Sequence, residues 1–158
     1  MKIVNIRIDE RLIHGQVAAV WTRTLSANRI MVIDNTVIKN DIQKSALKMA
    51  CPQGCKLSIL SVGKASENLR LEKYEGENVF IVVKSPATLK ELYDSGFTFK
   101  EVNVGNMANK AGSRAVKNTV VSVTDEDAEN FKYLAGKGVT FTSKQVPNDP
   151  AIDFIAQL

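Results

Sequence analysis

The 158 residues hold only one histidine and two cysteines, a thin supply of the imidazole and thiol groups that ligate transition metals or act as nucleophiles. The two thiols, Cys51 and Cys55 in CPQGC, are too few for a disulfide framework and read as reduced structural residues of a reducing compartment. With a single imidazole available, zinc would lack a fourth ligand and the usual spacing, so no metal is expected. No apolar run approaches the roughly 18 residues that span a bilayer. The opening MKIVNIRI has no small-residue cleavage signal and reads as a strand rather than a secretory leader. Aromatic residues make up only 6%, and the basic residues behind the net charge of +4 are interspersed with acids instead of forming a stripe with aromatics. That pattern argues against nucleic acid as a partner. What remains is a soluble, cytoplasmic chain of one domain, residues 1–158, with no low-complexity segment and no internal repeat.

Several nucleotide and phosphate motifs are missing as well. A phosphate-binding loop needs GxxxxGK[ST], and GKAS at Gly63 lacks the first glycine. No GxGxxG follows the first strand. A receiver domain would find its acidic pair in Asp9 and Glu10, but SVGKAS after the third strand supplies no aspartate. No cofactor is expected.

The apolar pattern that is present alternates strand-length runs with segments of helical period, which predicts a layered α/β fold. Strands are expected at Lys2–Ile8, Arg29–Asp34, Lys56–Ser61, Asn78–Val83, Lys100–Gly105, Lys117–Val123 and Val139–Lys144. Helices are expected to begin near Gly15, Asp41, Gly63, Pro86 and Asp125, with a short one near Pro150. Val17, Val20, Trp21 and Leu25 fall on one helical face, and Ile42, Ala46, Met49 and Ala50 on another, so both faces are expected to pack on the sheet. Pro86 suits a first helical turn, Gly96 a C-terminal stop, and Thr124 with Asp127 a capping pair. The stretch NMANKAGSRAV has no helical stripe, and a parallel pair needs a longer crossover. The expectation is an open, mostly parallel seven-stranded sheet with helices on both faces and one antiparallel strand, the sixth.

In such sheets ligands bind at the carboxyl ends of the strands. The rule selects DERLIHGQ after strand one, NTVIKN after strand two with Asn35, KSP after strand four with Lys84 and Ser85, and NMANKAG after strand five with Asn106. His14 stands immediately before a helix whose free N–H groups and positive dipole end favour an anion. Arg11 offers a forked guanidinium to two oxygens of a phosphoryl group, Gly15 lets backbone approach, and Gln16 adds an amide. Asp9 is suited either to fix the Arg11 fork or to hydrogen-bond one ring nitrogen of His14, leaving the other as nucleophile. The set reads as a phosphohistidine site. The residues alone leave open a second reading, a small α/β module that binds an anion or sugar phosphate without covalent phosphorylation.

RIDERLIHGQV resembles the signature of the enzyme IIB component of the mannose/fructose/sorbose family of the bacterial phosphoenolpyruvate-dependent sugar phosphotransferase system. VID, KSP, VNVGNM, the DED helix start and GKGVTFTSKQVPND follow in family order along nearly the whole chain. The resemblance implies a phosphocarrier. A phosphoryl group arrives from enzyme IIA, rests on Nδ1 of His14 with Arg11 stabilising it, and passes to a sugar entering through the membrane components IIC and IID, which hold the chain at the inner face of the membrane. The family's acidic residue falls on Asp9. The sugars implied are mannose, fructose, sorbose, glucose or an N-acetylhexosamine, with a lean towards N-acetylgalactosamine; the oligomeric state is left open. Asn106 replaces a glycine common in the family, and the cysteines of CPQGC are unusual there.

Overall fold

The first strand sets the plan of the molecule. In IRID, Ile6 and Ile8 alternate with Arg7 and Asp9, so a strand there turns an apolar side to one face of the sheet and a charged side to the other. The computed structural model, which describes residues 1–158, has strands β1 Lys2–Asp9, β2 Arg29–Ile33, β3 Lys56–Leu60, β4 Asn78–Val83, β5 Glu101–Asn106, β6 Arg114–Ala115, β7 Ser122–Val123, β8 Thr140–Ser143 and β9 Ile152–Asp153. Helices α1 Gly15–Leu25, α2 Asp41–Ala50, α3 Val62–Arg70, α4 Pro86–Asp94, α5 Asp125–Gly136 and α6 Phe154–Gln157 connect or follow them. Seven strands form one sheet in the order β3-β2-β4-β1-β5-β8-β9, parallel except for β9 against β8.

The alternation divides the core in two. Ile6, Ile8, Val79, Ile81, Val83, Val102 and Val104 face α3, α4 and α5, whose Leu69, Leu89 and Phe131 are fully buried or nearly so. Ile30, Val32, Phe80 and Val82 face α1 and α2 through Trp21 and Leu47. Arg7 and Asp9 therefore lie on the α1 side, at the carboxyl end of β1. That strand sits in mid-sheet with β4 on one flank and β5 on the other, and the chain reaches those neighbours in different directions along the order. This is a topological switch point.

The helix ends follow the sequence signals. Pro86 occupies the first turn of α4, and Thr124 and Asp127 form a reciprocal capping box, each side chain accepting from the other's backbone N–H, at 3.1 and 3.0 Å. Gly96 follows α4 at φ 110, a conformation glycine adopts freely.

Two expectations are corrected. The antiparallel strand of the main sheet is β9, not Lys117–Val123. Asn118 bends at φ 64 and Thr119 N–H donates to the Val116 carbonyl at 3.1 Å, so the run turns back and pairs Arg114–Ala115 with Ser122–Val123 as a separate ribbon. Val121 and Val123 still reach the larger core. In α2, Leu47 is the residue that enters the core, with Ala50 packed beside it, while Ile42 and Met49 are 83% and 88% exposed. The helix is rotated to seat Leu47 among the buried residues of the smaller core, which include Val37, and that turns the outer members of the predicted stripe to solvent. Val20 in α1 is likewise exposed.

Candidate functional site

The sequence of the first loop explains its shape. In RLIH the two middle residues are apolar, and Leu12 and Ile13 are buried in the smaller core while Arg11 and His14 are exposed. Anchoring requires an abrupt turn after β1. Leu12 N–H donates to the Asp9 carbonyl at 2.8 Å, and Leu12 itself sits at φ 61, a left-handed conformation that costs a non-glycine residue about 1 kcal/mol or more. Glu10 N–H donates to the Asn106 carbonyl at 2.9 Å, tying the loop to the end of β5.

His14 is the N-cap of α1, in extended conformation, and its side chain makes no capping bond. The first intrahelical bond runs from Ala18 N–H to the His14 carbonyl at 3.1 Å, so the amides of Gly15, Gln16 and Val17 precede the ladder and have no helical acceptor. The first turn contains no acid to neutralise them. Gly15 has φ 29, and a Cβ there would meet nothing within 4 Å, so the glycine serves the backbone turn rather than a need for space.

Asp9 is 1% exposed. Its Oδ1 accepts from Arg11 N–H at 3.0 Å and Arg11 Nε at 3.1 Å, and its Oδ2 accepts from Arg11 Nη2 at 3.1 Å. Of the two roles expected for Asp9, fixing the Arg11 fork is the one realised; no hydrogen bond joins Asp9 to the His14 ring. The carboxylate occupies the Nε–Nη2 edge of the guanidinium, which leaves the outer edge to an anion. The hydrogen bond to Asp9 raises the Arg11 pKa against the opposing effect of partial burial.

The remaining loop residues divide. Lys84 joins Glu10, Arg11 and α2 along a groove of ≈ 320 Å³ beside the His14 loop. Asn35 is committed elsewhere: its Oδ1 accepts from Val62 N–H at 2.8 Å and its Nδ2 donates to Glu91 at 3.2 Å, joining the strand-two loop to α3 and α4. Ser85 is the N-cap of α4 without a side-chain bond, Gln16 is exposed, and Asn106 acts through its carbonyl.

Reasoning from sequence alone misses the floor of the site. Arg7 is 2% exposed, and its guanidinium donates to Asn103 Oδ1, to the carbonyls of Lys144 at 2.8 Å and Gln145 at 3.1 Å, and to Asp9 Oδ2 at 3.4 Å. It lies 5.0 Å from the centre of the Trp21 ring, whose Nε1–H donates to the same Gln145 carbonyl at 3.0 Å. Burial lowers the Arg7 pKa, and the Asp9 charge and hydrogen bond oppose that. The available signal was the i, i+2 placement of Arg7 and Asp9 on one face of a strand. The hollow that Arg7, Asp9, Trp21 and His14 line holds only ≈ 10 Å³, room for one water at most. His14 therefore stands at the surface rather than inside a pocket.

The fold superposes on the solved IIB domain of the sorbose permease of Klebsiella pneumoniae with a TM-score of 0.93 at 30% identity, covering 99% of this chain and 96% of that one. The profile of the PTS system sorbose subfamily IIB component matches residues 3–158, and the chain belongs to that family. It is 35% identical to the sorbose-specific EIIB component of Lacticaseibacillus casei, over 100% of this chain and 96% of the relative. It is 36% identical to the mannose-specific EIIAB component of Escherichia coli, over 96% of this chain and 47% of that longer protein. Membership gives the chain a role in sugar phosphotransfer.

Proposed function

We propose that this chain is a histidine phosphocarrier that accepts a phosphoryl group from an enzyme IIA component on His14 and delivers it to a sugar during uptake through IIC and IID. The lone pair of Nδ1, the ring nitrogen that the family resemblance implies, attacks phosphorus while the donor's N–P bond breaks and its electron pair returns to the donor imidazole. In the second half the sugar hydroxyl oxygen attacks, the His14 N–P bond breaks, and the hydroxyl proton passes to a base. Both transfers are in-line and loose, so positioning and charge stabilisation supply most of the catalysis. Arg11 and the amides of Gly15, Gln16 and Val17 supply both.

One observation carries the reading: an exposed imidazole directly before unpaired helix amides, beside an arginine fork locked by a buried carboxylate. Exposure suits a group that must meet two partners in turn, through contacts that are small and transient. The IIA linkage has support from the mannose-specific relative, an EIIAB component whose name joins EIIA and EIIB. No helix is long and apolar enough to cross a membrane, and in this reading the chain works in the cytoplasm against IIC and IID. The sugar belongs to the mannose, fructose, sorbose or N-acetylhexosamine class, with N-acetylgalactosamine the first to try.

The test is intact mass after incubation with phosphoenolpyruvate, enzyme I, the histidine phosphocarrier protein and a matching IIA. One acid-labile phosphoryl adduct is expected, absent in His14→Ala. An adduct that survives in His14→Ala refutes the assignment, and reversible phosphate binding without any adduct favours the non-covalent module.

A further inference from the structure

The Arg7 cluster lies outside the roles assigned above. A buried arginine is costly unless its donors are matched, and here the chain from four elements converges to match them: Asn103 from β5, Asp9 from β1, Trp21 from α1, and two successive carbonyls, Lys144 and Gln145, from the loop after β8. That loop is itself braced. Asp149 accepts from the N–H groups of Gln145 and Val146 at 3.0 and 3.2 Å, and Gln145 Nε2 donates to the Gly105 carbonyl. Space is reserved as well, because a Cβ on Gly105 would overlap the Arg7 guanidinium. The glycine that follows Val104 in VNVGNM is thus set by the need to admit Arg7.

The consequence falls on Asp9. Its carboxylate is shared by two guanidinium groups, one on the rigid mid-sheet strand and one on an exposed loop, Arg11, whose side chain is 35% exposed. The buried partner defines where the carboxylate sits, and the carboxylate defines where the exposed fork points. We infer that Arg7 is a positioning residue for phosphoryl transfer at His14: held by the Lys144 and Gln145 carbonyls, it fixes Asp9 and through it the Arg11 fork. This rests on the carrier reading and adds the β8–β9 loop to the machinery of the site.

The experiment measures single-turnover phosphoryl transfer from phosphorylated IIA to wild type, Arg7→Lys, Arg11→Lys and the double variant, each normalised to folded protein by circular dichroism. Lysine keeps the charge but cannot reach four partners with a rigid fork. Displacement of the fork by about 1 Å predicts a loss of the order of 10²-fold in the transfer rate for Arg7→Lys, with apparent affinity for IIA unchanged. In the Arg11→Lys background the same change costs less than about threefold, since residues acting as one unit are not additive. Equal losses in both backgrounds, or a wild-type rate in Arg7→Lys, overturn the inference while the carrier reading stands. A wild-type chain that takes no phosphoryl group overturns both. If Arg7→Lys does not fold, Gln145→Ala, which leaves the buried ion pair and loosens only the loop, replaces it; slower transfer that is cancelled by Arg11→Lys supports the inference, and unaltered transfer refutes it.

Discussion

Asp9→Asn removes one charge and almost no volume, and the structure says what that charge is worth. Toward Arg11 the carboxylate makes three contacts, but the arginine side chain is 35% exposed, so this share is that of a partly solvated pair, about 1 kcal/mol. Toward Arg7 the pair is buried, with side chains 3% and 2% exposed, and stripping one partner from a buried pair costs about 3–5 kcal/mol. The 3.4 Å separation and the two carbonyls already on Arg7 put the value at the lower end. The sum is about 4 kcal/mol, which for a chain of this size lowers Tm by about 8–16 °C. Thermal circular dichroism at low salt measures it, and a repeat at about 0.5 M salt separates the two shares, since screening erodes only the exposed one. A fall of less than about 3 °C would show that the carbonyls alone compensate Arg7, and the account of Asp9 as the hinge between two guanidiniums would fail.

Two other predictions concern titrating groups away from the site. Glu77 accepts from Arg29 Nη2 at 3.0 Å and Lys56 Nζ at 2.9 Å and also pairs with Arg29 Nε; the Arg29 hydrogen bond is the chief cause that pulls its pKa down to about 2 from 4.5. A depressed carboxyl stabilises the fold above its unfolded pKa and loses that contribution as pH falls from about 4.5 through 2. Glu77→Gln should therefore flatten the acid limb of the stability curve in that window and leave the slope near neutrality unchanged; a matching acid limb in both proteins would refute it. Burial, with Cys51 adding to it, pushes the Cys55 thiol up to about 11, and burial also raises Cys51. At about pH 8 both thiols should react with an aromatic disulfide reagent far more slowly than a free thiol, and in denaturant at the free rate. A rapid phase in the native protein would contradict the packing around α2.

Much of the site was legible because its signals are local. Asp9, Arg11, His14 and Gly15 lie within seven residues, and the helix start follows directly. The floor was not legible, because Arg7 meets Asn103 and the Lys144 carbonyl, 96 and 137 residues away along the chain. Nothing in a period-2 pattern names a partner at that range. The misplaced antiparallel strand has a similar cause: Lys117–Val123 carries the β-branched residues of a strand, yet its buried valines are satisfied by a short ribbon against the core, while the strand that does pair, Ile152–Asp153, is too short to leave a pattern. In α2 the periodicity gave the helix but not its rotation, which Leu47 alone decides.

The proposed carrier role asks a site to be firm and accessible at the same time, and these demands conflict in a single loop. Exposed side chains move, and a fork that moves by an ångström loses much of its effect on a transition state. The architecture separates the two demands by depth. Arg7 and Asp9 are buried on a central strand that pairs on both sides, so their position is set by the sheet and by the β8–β9 loop. Leu12 and Ile13 pin the loop to the smaller core, and only Arg11, His14 and the first turn of α1 stand in solvent. The buried layer thus gives the exposed layer its geometry without enclosing it. In the proposed carrier role a deeper pocket would hold a phosphoryl group more tightly, but it would also exclude the donor protein and the incoming sugar between which the group must pass.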